Sequence, residues 1–361
     1  MKSLLKLEIL NEVVKGILYL PLCVLVSTMA SCEDAGKIDC ELKVKVLEGE
    51  GSPVDGAEVA VRYPVGIKVN PGGGFPTDRN ETSKTVSDSK GEAALNYQTV
   101  SSPEGLLWIR KNEYYPSVYQ SYPWEQIGER ANHYRAELTA ILKPIKNPIP
   151  MIARKDLRIR TPEFGVIYGF DLKMGESMPP LGIGKFADIE FILSGTRTDL
   201  GVDNKEHVDF KVEIRCPNPD DGFVDFEIED SLEFSKGSAL QSGHESPAGG
   251  YVNGIIRRYA NNEDGGMTAA YDIKNEIRNN CAYFRVRTQR NEKGEIVSAH
   301  YGKMYGPIEI RPALRQYGHY DGTGQGGFYI QYMYFNPTPN DRNVEFDPKR
   351  NLNPDCNVQQ P

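Results

Sequence analysis

The sequence is poor in positive charge and in the residues that most often perform chemistry. Its 361 residues include five histidines and two tryptophans, and 50 acidic against 42 basic residues give a net charge of −8. Nucleic-acid binding rewards clustered Lys and Arg side chains that neutralise phosphates, and electrostatic docking on anionic lipid uses a polybasic segment. The sequence shows neither pattern, so we expect no nucleic-acid partner and no electrostatic attachment to a membrane.

Short catalytic and cofactor motifs are also missing. No HxxxH, HExxH, CxxC or Gly-x-Ser-x-Gly pattern occurs, so zinc, thiol-redox and serine hydrolase sites have no local signature. Gly322, Gly324 and Gly326 precede a strand and lack a following Lys-Ser/Thr, which favours a hairpin loop over a phosphate site. We predict no catalytic residue, metal or cofactor; His319 and Asp321, in a loop, come nearest to a catalytic pair.

The chain has only one long apolar run, at residues 16–26. It is shorter than the roughly 20 residues needed to span a bilayer. It follows Lys15 and leads into small residues, an arrangement typical of a signal peptide. Residues 1–31 are therefore predicted to be an export signal.

The residues that end this signal are Met29-Ala30-Ser31-Cys32. They resemble the lipobox of bacterial lipoproteins, although Met29 replaces the favoured Leu. The resemblance implies that Cys32 carries a lipid, that residues 32–37 form a tether, and that the protein is exported and anchored in the cell envelope, most simply at the outer membrane. The alternative is an ordinary secretory signal cut near Ala30, which leaves Cys32 as a thiol.

The remaining cysteines are even in number, which permits disulfides in an exported protein. They are Cys40, Cys216, Cys281 and Cys356. Of the three possible pairings we favour Cys216 with Cys281, which closes a loop in the second half of the chain, and Cys40 with Cys356, which ties its ends together.

Residues 38–145 have the two-residue period of β-strands. Leu42, Val44 and Val46 alternate with lysines, and further alternating runs are separated by glycine-containing turns. The series Pro53, Gly56, Ala57, Val59 and then Thr85, Asp88, Gly91, Ala93 resembles the carboxypeptidase regulatory-like (transthyretin-like) β-sandwich. The resemblance covers about a third of the chain and implies an Ig-like, non-catalytic spacer or adhesive domain. Glu113 departs from it by replacing a glycine that often precedes the tyrosine.

Residues 143–150 contain three prolines and predict a semi-rigid boundary. Residues 146–361 then contain more strand-like segments and no long helical periodicity, so we expect an antiparallel β-sandwich or open barrel. Their sequence is similar to that of exported bacterial proteins of unassigned function, notably at residues 146–151, 169–172 and 336–343, which implies no activity. The whole chain is predicted to be all-β.

Two features of the second region suggest binding or catalysis. Tyr332 and Tyr334 share one face of an aromatic strand, which suits stacking on sugar rings, but the same pattern is typical of a central strand buried on both faces. Acidic residues recur at Asp220, Asp221, Asp225, Glu227, Glu229, Asp230, Glu345 and Asp347. They indicate either solvated strand faces and loops or, less economically, a carboxylate-dependent hydrolase or a calcium site.

These observations predict a lipid-anchored envelope protein with a non-catalytic binding or assembly role. Its partner is expected to be an envelope protein or a polysaccharide. A glycan-binding lipoprotein and a carboxylate-dependent hydrolase are the alternatives.

Overall fold

A computed structural model describes residues 37–68, 77–100, 102–120, 122–127, 132–200, 205–226, 237–260, 281–312 and 326–361. The predicted signal peptide, Cys32 and most of the tether lie outside these ranges, as do Glu227, Glu229, Asp230, His319 and Asp321. Within them the protein is all-β, as predicted. No helix in the described ranges is long and apolar enough to cross a membrane.

The chain forms two compact units. Described residues up to Leu142 belong to unit 1, except 113–115. Residues 113–115 and the described residues from Lys143 onward belong to unit 2. Among the described residues, the chain therefore enters unit 2 for good where the proline-rich segment begins.

Unit 1 is a β-sandwich. Its strands are β1 (Ile38–Glu48), β2 (Glu58–Lys68), β3 (Thr77–Val86), β4 (Glu92–Thr99), β5 (Leu106–Arg110), β6 (Ser117–Tyr119), β7 (Glu125–Gln126) and β8 (His133–Leu142). One sheet has the order β4-β1-β8-β7, and the other contains β6-β5-β2-β3. β1 and β8 are parallel, and the other pairs within the unit are antiparallel.

The alternation predicted for β1 is present: Leu42, Val44 and Val46 are buried, while Lys43 and Lys45 are exposed. Two turns of unit 1 require glycine. Gly56 and Gly91 have φ values of 71° and 76°, which side chains with a Cβ disfavour. A Cβ on Gly91 would also lie 2.3 Å from the Val46 carbonyl oxygen. These two glycines are therefore required by the turns of unit 1.

Unit 2 is a larger antiparallel sandwich. Its strands are β9 (Ile152–Thr161), β10 (Ile167–Asp171), β11 (Glu176–Ser177), β12 (Ile189–Leu200), β13 (Lys205–Arg215), β14 (Gly222–Asp225), β15 (Gly237–Ser238), β16 (Ile255–Ala260), β17 (Ala282–Arg290), β18 (Ile296–Pro312) and β19 (Gly326–Phe335). Ten of these form two sheets, ordered β11-β10-β12-β13-β16 and β14-β17-β18-β19-β9. Neither closes on itself within the described residues, so a sandwich is present rather than a barrel.

The core of unit 2 lies between these two sheets. Phe170, Phe191 and Leu193 of the first sheet pack with apolar residues of the second, including Phe284 and Phe335. The opposite face of the second sheet carries another buried cluster, which includes Tyr283, Tyr305, Tyr334, Val344 and Phe346. The middle of the second sheet is thus buried on both faces.

The predicted disulfides are absent: none of the four described cysteines forms one. Cys216 packs in the core between the sheets, whereas Cys281 packs in the cluster on the other face of the second sheet. A sheet therefore separates the two sulfur atoms of the favoured pair. Cys40 belongs to unit 1 and Cys356 to unit 2, and burial raises the pKa of the Cys40 thiol to about 12.

Candidate functional site

The aromatic strand predicted as a glycan-binding face is β19. Tyr334 is fully buried: its hydroxyl donates to the Gln360 carbonyl at 2.9 Å and lies 2.8 Å from the Tyr305 hydroxyl, and its ring packs on Phe346. Tyr332 is partly exposed at the edge of this cluster, with its ring 5.3 Å from that of Tyr305. A buried ring offers no face to a sugar, so only Tyr332 of the predicted pair is accessible.

Two of the described acidic residues, Asp220 and Asp221, contact backbone amides or an arginine of β17. Asp221 is buried and accepts hydrogen bonds from the amides of Arg287 and Thr288 at 2.8 and 2.9 Å. Asp220 forms an ion pair with Arg290 at 2.7 Å. Among the residues that the structure describes, no group of three or more His, Cys, Asp or Glu side chains is arranged to hold a metal. Asp220 and Asp221 are therefore engaged by other groups of the fold.

Lys303 is a fully buried lysine in unit 2 that no sequence pattern indicated. Its Nζ donates to the Ser242 Oγ at 2.9 Å and lies 5.0 Å from the centre of the Tyr334 ring. Burial, reinforced by nearby Lys143, lowers the pKa of Lys303 to about 7. Lysine with serine is a combination that hydrolases use. Here both side chains are fully buried, so no substrate reaches them.

Arg287, which is partly exposed, forms ion pairs with two buried carboxylates. It lies in a bulge of β17, where pairing with β18 shifts between Val286 and Gln289, and its φ is 57°. Its Nε lies 2.7 Å from Asp188 Oδ1, and its Nη2 donates to Asp188 Oδ2 at 2.8 Å and to Asp171 Oδ1 at 3.0 Å. A left-handed backbone at a bulky residue is strained. The fold thus tolerates strain where it directs this guanidinium onto two carboxylates.

The two carboxylates in turn fix the connection between β10 and β12. Burial raises the pKa of Asp188, and the hydrogen bonds from Arg287 oppose that effect. Asp188 also accepts from the Leu172 amide at 2.9 Å. Asp171 accepts from three further amides of the connection, those of Met174, Lys185 and Phe186. Buried ion pairs contribute little net stability but position groups firmly, so the cluster acts as a clamp.

This clamp presents an exposed apolar loop, residues 178–186. Leu181, Ile183 and Phe186 are 40%, 70% and 54% exposed, and the Phe186 ring stacks 4.9 Å from the Arg287 guanidinium. The backbone beneath them is tightly held, since the Gly184 amide donates to the Ser177 carbonyl at 2.9 Å. An apolar loop that is both exposed and held in one conformation is typical of a binding surface.

Sequence reasoning did not find the apolar loop. The loop ends shortly before β12, which begins at Ile189. Pro179, Gly182 and Gly184 give the segment the composition of an ordinary connection. The sequence did contain a signal: Leu181 and Ile183 lie among these glycines and prolines, and a turn does not require apolar residues.

Comparisons with known proteins assign no family. No family model and no curated protein matches the chain. Solved structures resemble the chain only weakly, and among them are two dioxygenases and a pilin. The first is 3-chlorocatechol 1,2-dioxygenase from Rhodococcus opacus 1CP, with 11% identity and a TM-score of 0.24 over 31% of this chain and 62% of that chain.

The second is hydroxyquinol 1,2-dioxygenase from Pseudomonas putida DLL-E4, with 12% identity and a TM-score of 0.20 over 30% of this chain and 57% of that chain. The third is the major pilin SpaD from Corynebacterium diphtheriae, with 10% identity and a TM-score of 0.19 over 81% of each chain. This chain thus spans less than two thirds of either dioxygenase. Similarities with TM-scores this low define neither its fold nor its function.

Proposed function

We propose that this protein is a lipid-anchored component of the cell envelope with a non-catalytic binding or assembly role. In this proposal Cys32 carries the lipid, the protein is held at the outer membrane, and the apolar loop contacts an envelope protein. The observation that carries the proposal is the exposed loop with Leu181, Ile183 and Phe186, clamped by buried ion pairs.

A protein partner suits the charges around the loop. Lys173 and Glu176 precede the loop and Lys185 belongs to it; all three are exposed and provide both signs. Protein interfaces commonly have an apolar centre with a polar rim. The rigidity of the loop also favours binding, because an ordered loop loses little conformational entropy when a partner docks.

A non-catalytic role is supported by the use of the reactive side chains. Asp171, Asp188 and Asp221 accept hydrogen bonds from the fold itself, and Lys303 is enclosed. Glycan binding is the second candidate, because Tyr332 remains partly exposed. No described residue favours the carboxylate-dependent hydrolase.

The test is capture of the full-length lipoprotein from its own membranes after mild cross-linking, read by mass spectrometry. Ile183→Asp is compared with Leu352→Asp, which changes another apolar residue of unit 2 that is about half exposed. We expect a stoichiometric partner with the wild type and with Leu352→Asp, and its loss with Ile183→Asp. Retention by Ile183→Asp, or equal loss from both variants, contradicts the loop as the contact.

A further inference from the structure

The outer part of β9 is unusually basic for this acidic protein. Lys155, Arg158 and Arg160 are all exposed, and Asp156 is the only acidic residue between them. Neither Lys155 nor Arg158 forms an ion pair within the described part of the chain. These two cations are therefore available to a ligand, although the chain as a whole carries a net charge of −8.

Aromatic residues of β19 lie directly opposite these cations. Tyr332 pairs with Lys155, and Tyr329 pairs with Arg158. Opposite residues of an antiparallel pair have their side chains on the same face and close together. Each cation is thus the cross-strand partner of a tyrosine.

Both cation–tyrosine pairs lie on the outer face of the second sheet. Ile159 and Ile330 belong to the core between the sheets, so their neighbours Arg158 and Tyr329 point away from it. Tyr332 packs with the cluster on that outer face. Inward and outward positions exchange at Asp156, whose φ is 56°. This irregularity brings Lys155 and Arg158 to one surface although they are three residues apart.

The surface defined by Lys155, Arg158, Arg160, Tyr329 and Tyr332 combines two kinds of recognition. Tyrosine rings stack on the apolar faces of sugar rings. Ammonium and guanidinium groups form charge-assisted hydrogen bonds with carboxylates and sulfates. The Tyr329 hydroxyl donates to the Asp156 carboxylate, which steadies that ring.

On the basis of the proposed non-catalytic binding function, we infer that this surface binds an anionic polysaccharide. The cations are spread along β9 from Lys155 to Arg160, at most about 17 Å, the length of five residues in a fully extended strand. A polymer with repeated carboxylates or sulfates contacts several of them at once, whereas one lipid headgroup reaches a single site. An anionic polysaccharide is a specific ligand for the second candidate function, and its binding surface is centred on the β9–β19 edge rather than on the buried Tyr334.

The experiment measures binding of the full-length protein in detergent to polygalacturonate, with dextran as the neutral polymer and phosphatidylglycerol vesicles as the lipid source of anionic groups. The double variant Lys155→Gln/Arg158→Gln removes two charges from the surface. Lys43→Gln/Lys84→Gln removes two exposed charges from unit 1 and serves as the matched control. Tyr332→Ala tests the stacking.

We expect saturable binding to polygalacturonate but not to dextran. Binding should weaken roughly tenfold or more in the double variant and in Tyr332→Ala, and remain unchanged in the control. Equal losses in the two double variants would reveal non-specific attraction and overturn the inference. The inference would also be overturned if the protein bound dextran as well as polygalacturonate, or if it bound the vesicles but not polygalacturonate.

Ile183→Asp separates this inference from the proposed function. It should abolish partner capture and leave polymer binding intact. If the wild type captures its protein partner but neither the β9 double variant nor Tyr332→Ala changes polygalacturonate binding, the inference fails while the proposed function stands. If polymer binding follows the β9 variants and no partner is captured, the assembly role fails and the glycan role remains.

Discussion

The buried ammonium of Lys303 makes stability depend on pH in a defined direction. Its pKa is about 7 in the folded protein and 10.5 ordinarily. Between these values the unfolded chain binds the proton and the folded chain releases it, so the free energy of unfolding rises with pH from about 7 to about 10.5. Below about pH 7 both states are protonated, and folding bears the full cost of burying the charge.

The size of the effect follows from the same two values. Each tenfold difference in proton affinity corresponds to about 1.4 kcal/mol, so unit 2 should gain roughly 4–5 kcal/mol across this window. Lys303→Met keeps an unbranched apolar chain and removes the charge. Ser242 retains its bond to the Gly243 carbonyl at 2.9 Å. We expect the variant to be more stable than the wild type at pH 6 by about 2–4 kcal/mol.

The assay is urea unfolding at pH 6, 7.5 and 9. Hydrogen exchange of peptides from β18 and β19 reports the unfolding of unit 2. Both tryptophans, Trp108 and Trp124, lie in unit 1, so their fluorescence serves as an internal control. Lys293→Met, a change at an exposed lysine of unit 2, should leave the pH dependence unchanged. The reasoning is refuted if Lys303→Met keeps the wild-type rise in stability between pH 7.5 and 9.

Four further outcomes are expected. Arg287→Gln leaves two buried carboxylates without their partner and should destabilise unit 2 by about 3–5 kcal/mol; faster hydrogen exchange of residues 172–188 than in Arg290→Gln would show that the clamp orders the loop, and unchanged exchange would contradict it. Gly91→Ala meets the Val46 carbonyl and should cost about 2–4 kcal/mol in thermal unfolding, whereas Gly294→Ala, with φ 79° and open space, should cost about 1 kcal/mol. Because burial raises the pKa of both Cys40 and Cys216, iodoacetamide should label them at pH 8 only after unfolding, and rapid labelling of the native protein would disprove their burial. Cys32→Ser should release the protein from the membrane fraction, and unchanged fractionation would argue against the lipid.

Local patterns sufficed for much of the fold. The alternation around Val44 predicts β1 because a strand with one buried face repeats every two residues. The turn at Gly91 is also a local feature, because glycine readily adopts the positive φ that the turn requires. Aromatic alternation also located β19, but alternation reports two faces without saying which is covered, so the sequence left the exposure of Tyr334 open.

The site residues depended on contacts between distant parts of the chain. Arg287 reaches Asp171 and Asp188 across 116 and 99 residues, and no spacing rule links residues so far apart. The cysteine pairing was wrong for a related reason: counting cysteines cannot tell that a sheet separates Cys216 from Cys281. The basic surface was missed because three cations spread over one strand do not form a polybasic run.

By itself, the sequence determined the all-β class, the strand-rich first region and the change of composition near residue 143, since each depends on neighbours a few positions apart. Only the tertiary structure decided which charges are buried, which aromatic rings remain accessible, and which loop is clamped in an exposed position. Those properties depend on what packs against each side chain, and the packing partners come from distant strands.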